Sequence, residues 1–562
     1  MTLRNRFDRI GADIKAKATS RASWVLPKES SSFAPPDTWT NKDNDVTPPE
    51  RRSWTAFTIL SYWFSDALNM QRWEAPASVI ILGLTWREAI LSQTLGMIIV
   101  SVPMVFNGAI GANLHVPYPV AARSSFGFQF AKFAIIVRLV TALFWHSIQS
   151  YSGSFALTNC ISAIWPSYLD IPNNIPKGIG ITTQQMVSHT LFWSIQFPIL
   201  MIPPHKLRWF FIFKAIVVIA SSIGVAAGMV KYASSSGDIW AQEPRVHGSQ
   251  RAWLIMTAMM SSAGGWATMA TNIPDFTRYM KGTKGQYWQA LFLPVICTFL
   301  AVMSIVATSA GKVVYGQYIW DPTVLASKWT GPKGRTARFF VGFSWAVAQI
   351  GTNVGANVVT AANDLTSLCP KYFNIRRGAI IVTVIAGWVM QPWKIINSAS
   401  SLLTFMSGLA IFLAPVAAVL ASDYWLIKRG KIDVPGLYDP HGRYKYWHGV
   451  NWRAVVTFAV SLGPNLPGLA NSVNHSVGLT GGIVHLWDVN YLYGLFVAVF
   501  VYVSLSLIFP PKETFVPEMI SGDIWAAGTV DAESEVIDDV SGDGSAGTSL
   551  EKKRVVVESE KI

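Results

Sequence analysis

Four runs of residues combine polar or flexible groups with aromatic rings inside stretches that are otherwise apolar. The first reads Trp63-Phe64-Ser65-Asp66-Ala67-Leu68-Asn69-Met70-Gln71-Arg72-Trp73-Glu74. A single Asp at the centre of a spanning helix costs about 2.5–3.5 kcal/mol on insertion scales, so these side chains must face protein or water rather than lipid. The second reads Ser261-Ser262-Ala263-Gly264-Gly265-Trp266-Ala267-Thr268. Each glycine weakens a helix by about 1 kcal/mol relative to alanine, and each allows close approach of a ligand or of a neighbouring helix. In the third, Phe144-Trp145-His146-Ser147-Ile148-Gln149, the indole of Trp145 and the amide of Gln149 lie four residues apart and share a helical face. The fourth, Ala348-Gln349-Ile350-Gly351-Thr352-Asn353-Val354-Gly355-Ala356-Asn357, continues to Asn363 and Asp364 and makes a helix with a polar face. Aromatic faces stack on a flat ring, and amides supply donors and acceptors for its edges. The set therefore suits a planar, uncharged heterocycle with urea-like edges. Each residue alone has a plainer use: Trp145 as a packing or interfacial aromatic, Gln149 and Asn357 as bonds between helices, His146 as a satisfied structural histidine or a proton relay.

Enzyme chemistry finds no footing. No glycine-rich loop precedes a phosphate-binding lysine, and no histidine pair has metal-ligand spacing. The expectation is a chain that is not an enzyme and needs no cofactor or metal. Cys160, Cys297 and Cys369 are too few and too scattered for a disulfide framework. The formal charge of +13 does not form a stripe; it collects near the start (Arg4, Arg6, Arg9, Lys15, Lys17) and in short loops. That distribution fits membrane topology and argues against nucleic acid as a partner.

Membrane helices must position these groups. Of 562 residues, 51% are hydrophobic and 14% charged, where soluble chains carry roughly a quarter charged. Spanning the hydrocarbon takes roughly 20 apolar residues per helix, which gives twelve spans: 56–83, 90–112, 128–160, 185–202, 209–230, 252–273, 287–310, 337–366, 378–392, 399–426, 453–470 and 490–510. The ninth and eleventh are the weakest, with Pro464 and Pro467 interrupting the eleventh. Lys and Arg favour the even-numbered loops (Arg123 and Lys132; Lys206 and Arg208; Arg278, Lys281 and Lys284; Lys371, Arg376 and Arg377; Lys428, Arg429 and Lys431), which predicts both termini cytoplasmic. Lys328, Lys333 and Arg335 break the rule. The expected organisation is an N-terminal tail (1–55), a ten-helix core (56–426) in two repeats (about 56–230 and 252–426), a cytoplasmic loop (427–452), two peripheral helices (453–510) and a disordered acidic tail (511–562). Lys552, Lys553 and Lys561 in that tail are candidate acceptors of regulatory modification, with ubiquitin ligase machinery as the partner. The polar breaks fall in the first and sixth spans, equivalent positions of two five-helix repeats, where inverted-repeat transporters build their sites.

At these residues the chain resembles the nucleobase–cation–symport-1 family, in particular its fungal branch of uracil, allantoin and uric acid permeases. The resemblance runs from about Asn41 to Pro511 and rests on Asn41-Lys42-Asp43, Pro48-Pro49-Glu50-Arg51-Arg52-Ser53-Trp54-Thr55, Tyr62-Trp63-Phe64-Ser65-Asp66-Ala67, Arg123-Ser124-Ser125-Phe126-Gly127, the run around Trp145, and Asn272-Ile273-Pro274-Asp275-Phe276-Thr277-Arg278-Tyr279. It implies an all-α, LeuT-like fold at the plasma membrane, alternating access, and a substrate ring held between Trp145 and Trp266. Gln149, Asn357, Gly265 and Gln71 are the implied further substrate-binding residues. Sodium-coupled relatives carry adjacent hydroxyl residues on the eighth helix. Gly351-Thr352 stands there, so one ligand is missing and proton coupling is favoured over Na⁺. Asp66 is the candidate carrier, with Thr352 beside it; the alternative for Asp66 is a structural ion pair or a half-helix cap. Asp275 and Arg278 are expected to form a cytoplasmic gating pair, or else a solvated loop pair. Thiamine or nucleoside transport, and nutrient sensing without transport, are the rival functions.

Overall fold

The structure, a computed structural model, describes residues 20, 24–27, 40–202, 204–233, 240–395, 398–474, 477–479 and 481–523. Arg4, Arg6, Arg9, Lys15 and Lys17, and Lys552, Lys553 and Lys561, lie outside the described residues.

Twelve helical passes are present among the described residues. Pass one is split into α1a (Ala56–Ala67) and α1b (Met70–Leu82). There follow α2 (Trp86–Leu114), α3 (Phe128–Ile164), α4 (Thr183–Leu200) and α5 (Arg208–Tyr232). Pass six is split into α6a (Gly248–Gly264) and α6b (Ala267–Asn272), and α7 is Gln289–Tyr315. Pass eight, α8, runs from Gly331–Thr352 through a π-helical turn, Asn353–Val358, into Val359–Leu368. The last four are α9 (Ile375–Trp388), α10 (Ala399–Ser422), α11 (Trp452–Leu462 with Leu466–Val473) and α12 (Asn490–Ile508). Strand pairing among the described residues is limited to isolated bridges.

Six passes, α2, α3, α5, α7, α10 and α12, are long and apolar enough to cross a membrane on those criteria alone. The others are broken, short or polar on one face, and depend on neighbours. In α11 the Gly463–Asn465 turn carries Pro464, and Asn465 Nδ2 donates to Ser461 O at 3.2 Å across the bend. Equivalent passes of the two halves lie together: α3 packs along α8, and α2 along α7. Phe57, Trp209, Ile216, Phe340, Phe496 and Phe500 point outward, an apolar belt suited to lipid.

Arg335, which offends the charge rule, has a structural task. Its guanidinium donates to Ala163 O and Ile164 O, each at 2.8 Å, satisfying the last carbonyls of α3. On the opposite face the segments flanking the first and last passes are built into the bundle. Trp54 pairs with Met280, Asp433 pairs with Ile520, and the Arg52 and Asp523 side chains form an ion pair. Residues 40–55 and 512–523 are therefore fixed elements rather than loose tails.

Candidate functional site

Both breaks occur where the sequence weakens helix. After Ala67 the backbone unwinds through Leu68 (φ −84, ψ 77), and Asn69 caps both sides of the gap. Its Oδ1 accepts from Arg72 N at 3.2 Å, and its Nδ2 donates to Asp66 O at 2.8 Å. Gln349 of α8 reaches in to accept from Met70 N at 3.1 Å, so a donor freed by the break is met from another helix. At the second break, Gly265 lies against α1b: a Cβ there would meet Arg72 Nη2 at 2.7 Å, and Gly265 O accepts from that same nitrogen at 2.7 Å.

A cavity of about 40 Å³ lies between the breaks, lined by Asp66, Asn69 and Arg72 from the first, Gly265 and Trp266 from the second, Trp145 and Gln149 from α3, and Thr352 and Asn357 from α8. Trp145 is held edge-on by Phe405 (5.4 Å between centroids, 75°), and Trp266 edge-on by Trp63 (5.2 Å, 70°). Both indoles are nearly buried, with 6% and 2% exposed. The π-helical turn follows from α8's polar run. Asn353 Nδ2 is engaged by Ser150 Oγ and Gln196 Oε1, each at 3.1 Å, and Asn353 Oδ1 accepts from Asn357 Nδ2 at 2.9 Å. Such turns frequently mark functional sites. Gln149 Oε1 and Asp66 Oδ1 are buried with no partner among the described residues.

Seven of the ten residues singled out in the sequence thus meet at one cavity: Asp66, Trp145, Gln149, Gly265, Trp266, Thr352 and Asn357. Gln71 does not. It is fully buried behind the cavity, donating to Ser152 Oγ at 2.8 Å and accepting from Gln349 Nε2 at 3.2 Å. It therefore braces α1b against α3 and α8, while its neighbour Arg72 faces the cavity. Asp275 and Arg278 do not pair with each other. Asp275 accepts from Tyr118 N (2.9 Å), Asn363 Nδ2 (2.9 Å) and Asn272 Nδ2 (3.3 Å). Arg278 turns the other way, to Tyr279 Oη (2.7 Å) and Asp43 O (3.3 Å). Pro274 opens a separate short helix there, Pro274–Thr277, which directs Asp275 inward and Arg278 toward the incoming N-terminal segment.

Two charged residues were missed as site members, Arg72 and Lys214. Lys214, fully buried on α5, donates to Thr352 Oγ1 at 2.8 Å. This accounts for Gly351, since a Cβ at that position would meet Lys214 Cδ at 2.5 Å. A lone lysine in the apolar run Phe213-Lys214-Ala215 was itself a signal, because intramembrane charges mark functional paths.

The sequence pattern of a permease family for cytosine/purines, uracil, thiamine and allantoin matches residues 46–494. An uncharacterized permease of Schizosaccharomyces pombe is 35% identical, covering 85% of this chain and 86% of the relative. The allantoin permease of Saccharomyces cerevisiae is 28% identical over 86% of this chain and 78% of its own length. Among solved structures, the transporter Mhp1 in a closed conformation superimposes with a TM-score of 0.67 at 24% identity, covering 84% of this chain and 97% of Mhp1. That likeness makes the architecture LeuT-like, with helices one to five and six to ten as repeats and two peripheral helices.

Proposed function

The chain belongs to the nucleobase–cation–symport-1 family of permeases, and from that premise we propose that it imports a nucleobase or related planar heterocycle, of the uracil, allantoin and uric acid class, by proton symport and alternating access. The observation that carries this reading is the buried cavity at the two helix breaks, where the indoles of Trp145 and Trp266 and the amides of Gln149 and Asn357 converge. The ring stacks on indole, and the amides read its edges. At about 40 Å³ the cavity is much smaller than the roughly 150 Å³ that admits a benzene ring. A substrate ring enters only as the surrounding helices part, as alternating access requires.

Proton coupling is favoured by Lys214. Its ammonium lies against Thr352 Oγ1, the hydroxyl that a coupling cation would need, and it repels any cation placed beside it. Asp66, buried with Oδ1 unpartnered, is the proposed proton carrier. The basic loops on the face that carries residues 40–55 and 512–523 favour the cytoplasm for that face, and an import role fits the plasma membrane. Thiamine, a cation, fits poorly beside Arg72 and Lys214.

The test is uptake of radiolabelled uracil in permease-deficient yeast, with unlabelled uric acid, allantoin, cytosine, uridine and thiamine as competitors, with and without a protonophore. Protonophore-sensitive accumulation is expected. Protein at the cell surface that neither accumulates label nor shows competition overturns the uracil assignment. Accumulation that survives the protonophore and follows Na⁺ overturns the proton.

A further inference from the structure

A guanidinium held within the bilayer's depth is costly unless it has an anion or a full set of acceptors. Arg72, on the first turn of α1b and 4% exposed, has neither. One nitrogen, Nη2, donates to Gly265 O at 2.7 Å, and the guanidinium carbon lies 4.6 Å from the Trp266 ring centroid. The other, Nη1, is buried without a partner among the described residues, although Arg72 lines the cavity between the indoles. No carboxylate among the described residues forms an ion pair with it. Asp66 is the only acid among the lining residues, and both Arg72 and Lys214 act on it electrostatically from beyond contact. Glu74, two residues along α1b, is not part of the lining. Two cations therefore face one carboxylate, and one of them has a donor to spare.

The plane of a guanidinium matches an edge that offers two adjacent acceptors, and it matches best when that edge is negatively charged. A neutral urea-like ring leaves the excess charge in place. We propose that Arg72 sets the charge of the cargo, so that this chain prefers an acidic planar heterocycle carried as its monoanion, with the guanidinium on the charged edge of the ring. This rests on reading the cavity as the substrate site. In the present arrangement the guanidinium covers the face of Trp266 on which a ring would stack. Binding therefore moves it from the face of the indole to the edge of the ring, exchanging a cation–π contact for a charge-assisted pair.

The experiment compares uric acid, which ionises in mildly acidic solution, with uracil, which stays neutral there, as competitors of one labelled ring, across external pH values below and above the ionisation of uric acid. In the wild type, inhibition by uric acid is expected to strengthen as the anion forms, relative to uracil at the same pH. Arg72→Gln is expected to move the ratio of the two inhibition constants about tenfold or more toward uracil, the usual weight of a hydrogen bond to a charged group. Arg72→Lys, which keeps the charge and loses the fork, should fall between. Should Arg72→Gln fail to reach the surface, thermal stabilisation of purified wild-type protein by uric acid and by uracil over the same pH range gives the comparison without a variant. A ratio unchanged in Arg72→Gln, or a wild type whose preference for uric acid falls as it ionises, overturns the proposal while leaving transport intact. A wild type that accumulates no ring removes the transport reading as well, and that arm is scored before any variant.

Discussion

Two buried charge clusters lie in the same bundle and are finished differently. At the end of α10, Asp423 is saturated: Oδ2 accepts from Ser124 Oγ (2.8 Å), Ser125 Oγ (3.1 Å) and Lys428 Nζ (2.7 Å), and Oδ1 accepts from Tyr502 Oη (2.8 Å). Lys428 also donates to Ser124 O at 2.7 Å, so cation and anion share one cage. At the helix breaks, Asp66 Oδ1, Arg72 Nη1 and Gln149 Oε1 are buried without partners. A buried polar group left unpaired costs about 1–3 kcal/mol, more when charged. Here several of them meet at one cavity, where a ligand can complete them. The saturated cluster reads as a fastening of α10 to the segment before α3 and to α12, and the unsaturated one as a site.

Breaking the fastening should have the largest effect. Asp423→Ala leaves Lys428 buried without its ion-pair partner, and removing one partner of a buried pair costs about 3–5 kcal/mol, a large part of the 5–15 kcal/mol typical of a domain. The expected outcome is loss of monodisperse protein in fluorescence-detected size exclusion and loss of surface signal. Asp423→Ala with Lys428→Met should recover part of the folded fraction, since an uncharged pair leaves no stranded charge. If Asp423→Ala folds and transports like wild type, the contrast between the two clusters collapses.

Substitutions in the open cluster should spare the fold and lose function. Trp145→Ala or Asn357→Ala is expected to reach the surface with wild-type elution, while affinity for the labelled ring falls about tenfold or more, as loss of a stacking face or of a ring-edge hydrogen bond predicts. Saturation binding to purified protein measures this apart from transport. Normal affinity in both variants moves the ring elsewhere. Asp66→Asn should be narrower still: binding and counterflow exchange persist, and uptake against a gradient ends. Concentrative, pH-dependent uptake in Asp66→Asn would remove Asp66 as the proton carrier.

Much of this was legible in the sequence, for reasons that also explain the gaps. Trp145 and Gln149 share a face because a helix repeats every 3.6 residues, and α3 is unbroken through both. Six of the passes follow from apolar length alone, and the breaks from Asn69 and the Gly264-Gly265 pair. Gln71 and Arg72 show the limit. Adjacent residues on a helix point about 100° apart, and the rotation of α1b after an unwound hinge is set by Asn69 and by Gln349, which lies on another helix 279 residues from Met70. Lys214 was visible as a lone charge, but its partner Thr352 lies on a different helix and no spacing rule links them. For Asp275 and Arg278, just beyond the sixth pass, the sequence suggests a cytoplasmic gating pair. Pro274 and the partners Tyr118 and Asp43, distant in sequence, decide their directions instead.

The smallest effect should come from a third pair, which tests whether charge or burial makes a fastening. Arg52 and Asp523 join the segments before α1a and after α12, and the Asp523 side chain is 44% exposed. The hydrogen bond from Arg52, with its nearby positive charge, holds the Asp523 carboxyl below its ordinary range despite partial burial. A carboxyl whose folded-state pKa is depressed contributes stability above its unfolded value and loses it as pH falls through the folded one. The pair should thus be at full strength near neutral pH and fade only in acid, below the ordinary carboxylate range. Because solvent screens an exposed pair, Arg52→Ala is expected to cost no more than about 1 kcal/mol. Melting curves of purified wild type and Arg52→Ala should differ slightly at neutral pH and converge as Asp523 protonates. A loss as large as that of Asp423→Ala would mean that these flanking segments fasten the bundle as firmly as its buried cage does, and that saturation with partners, rather than exclusion of water, is what distinguishes a fastening from a site.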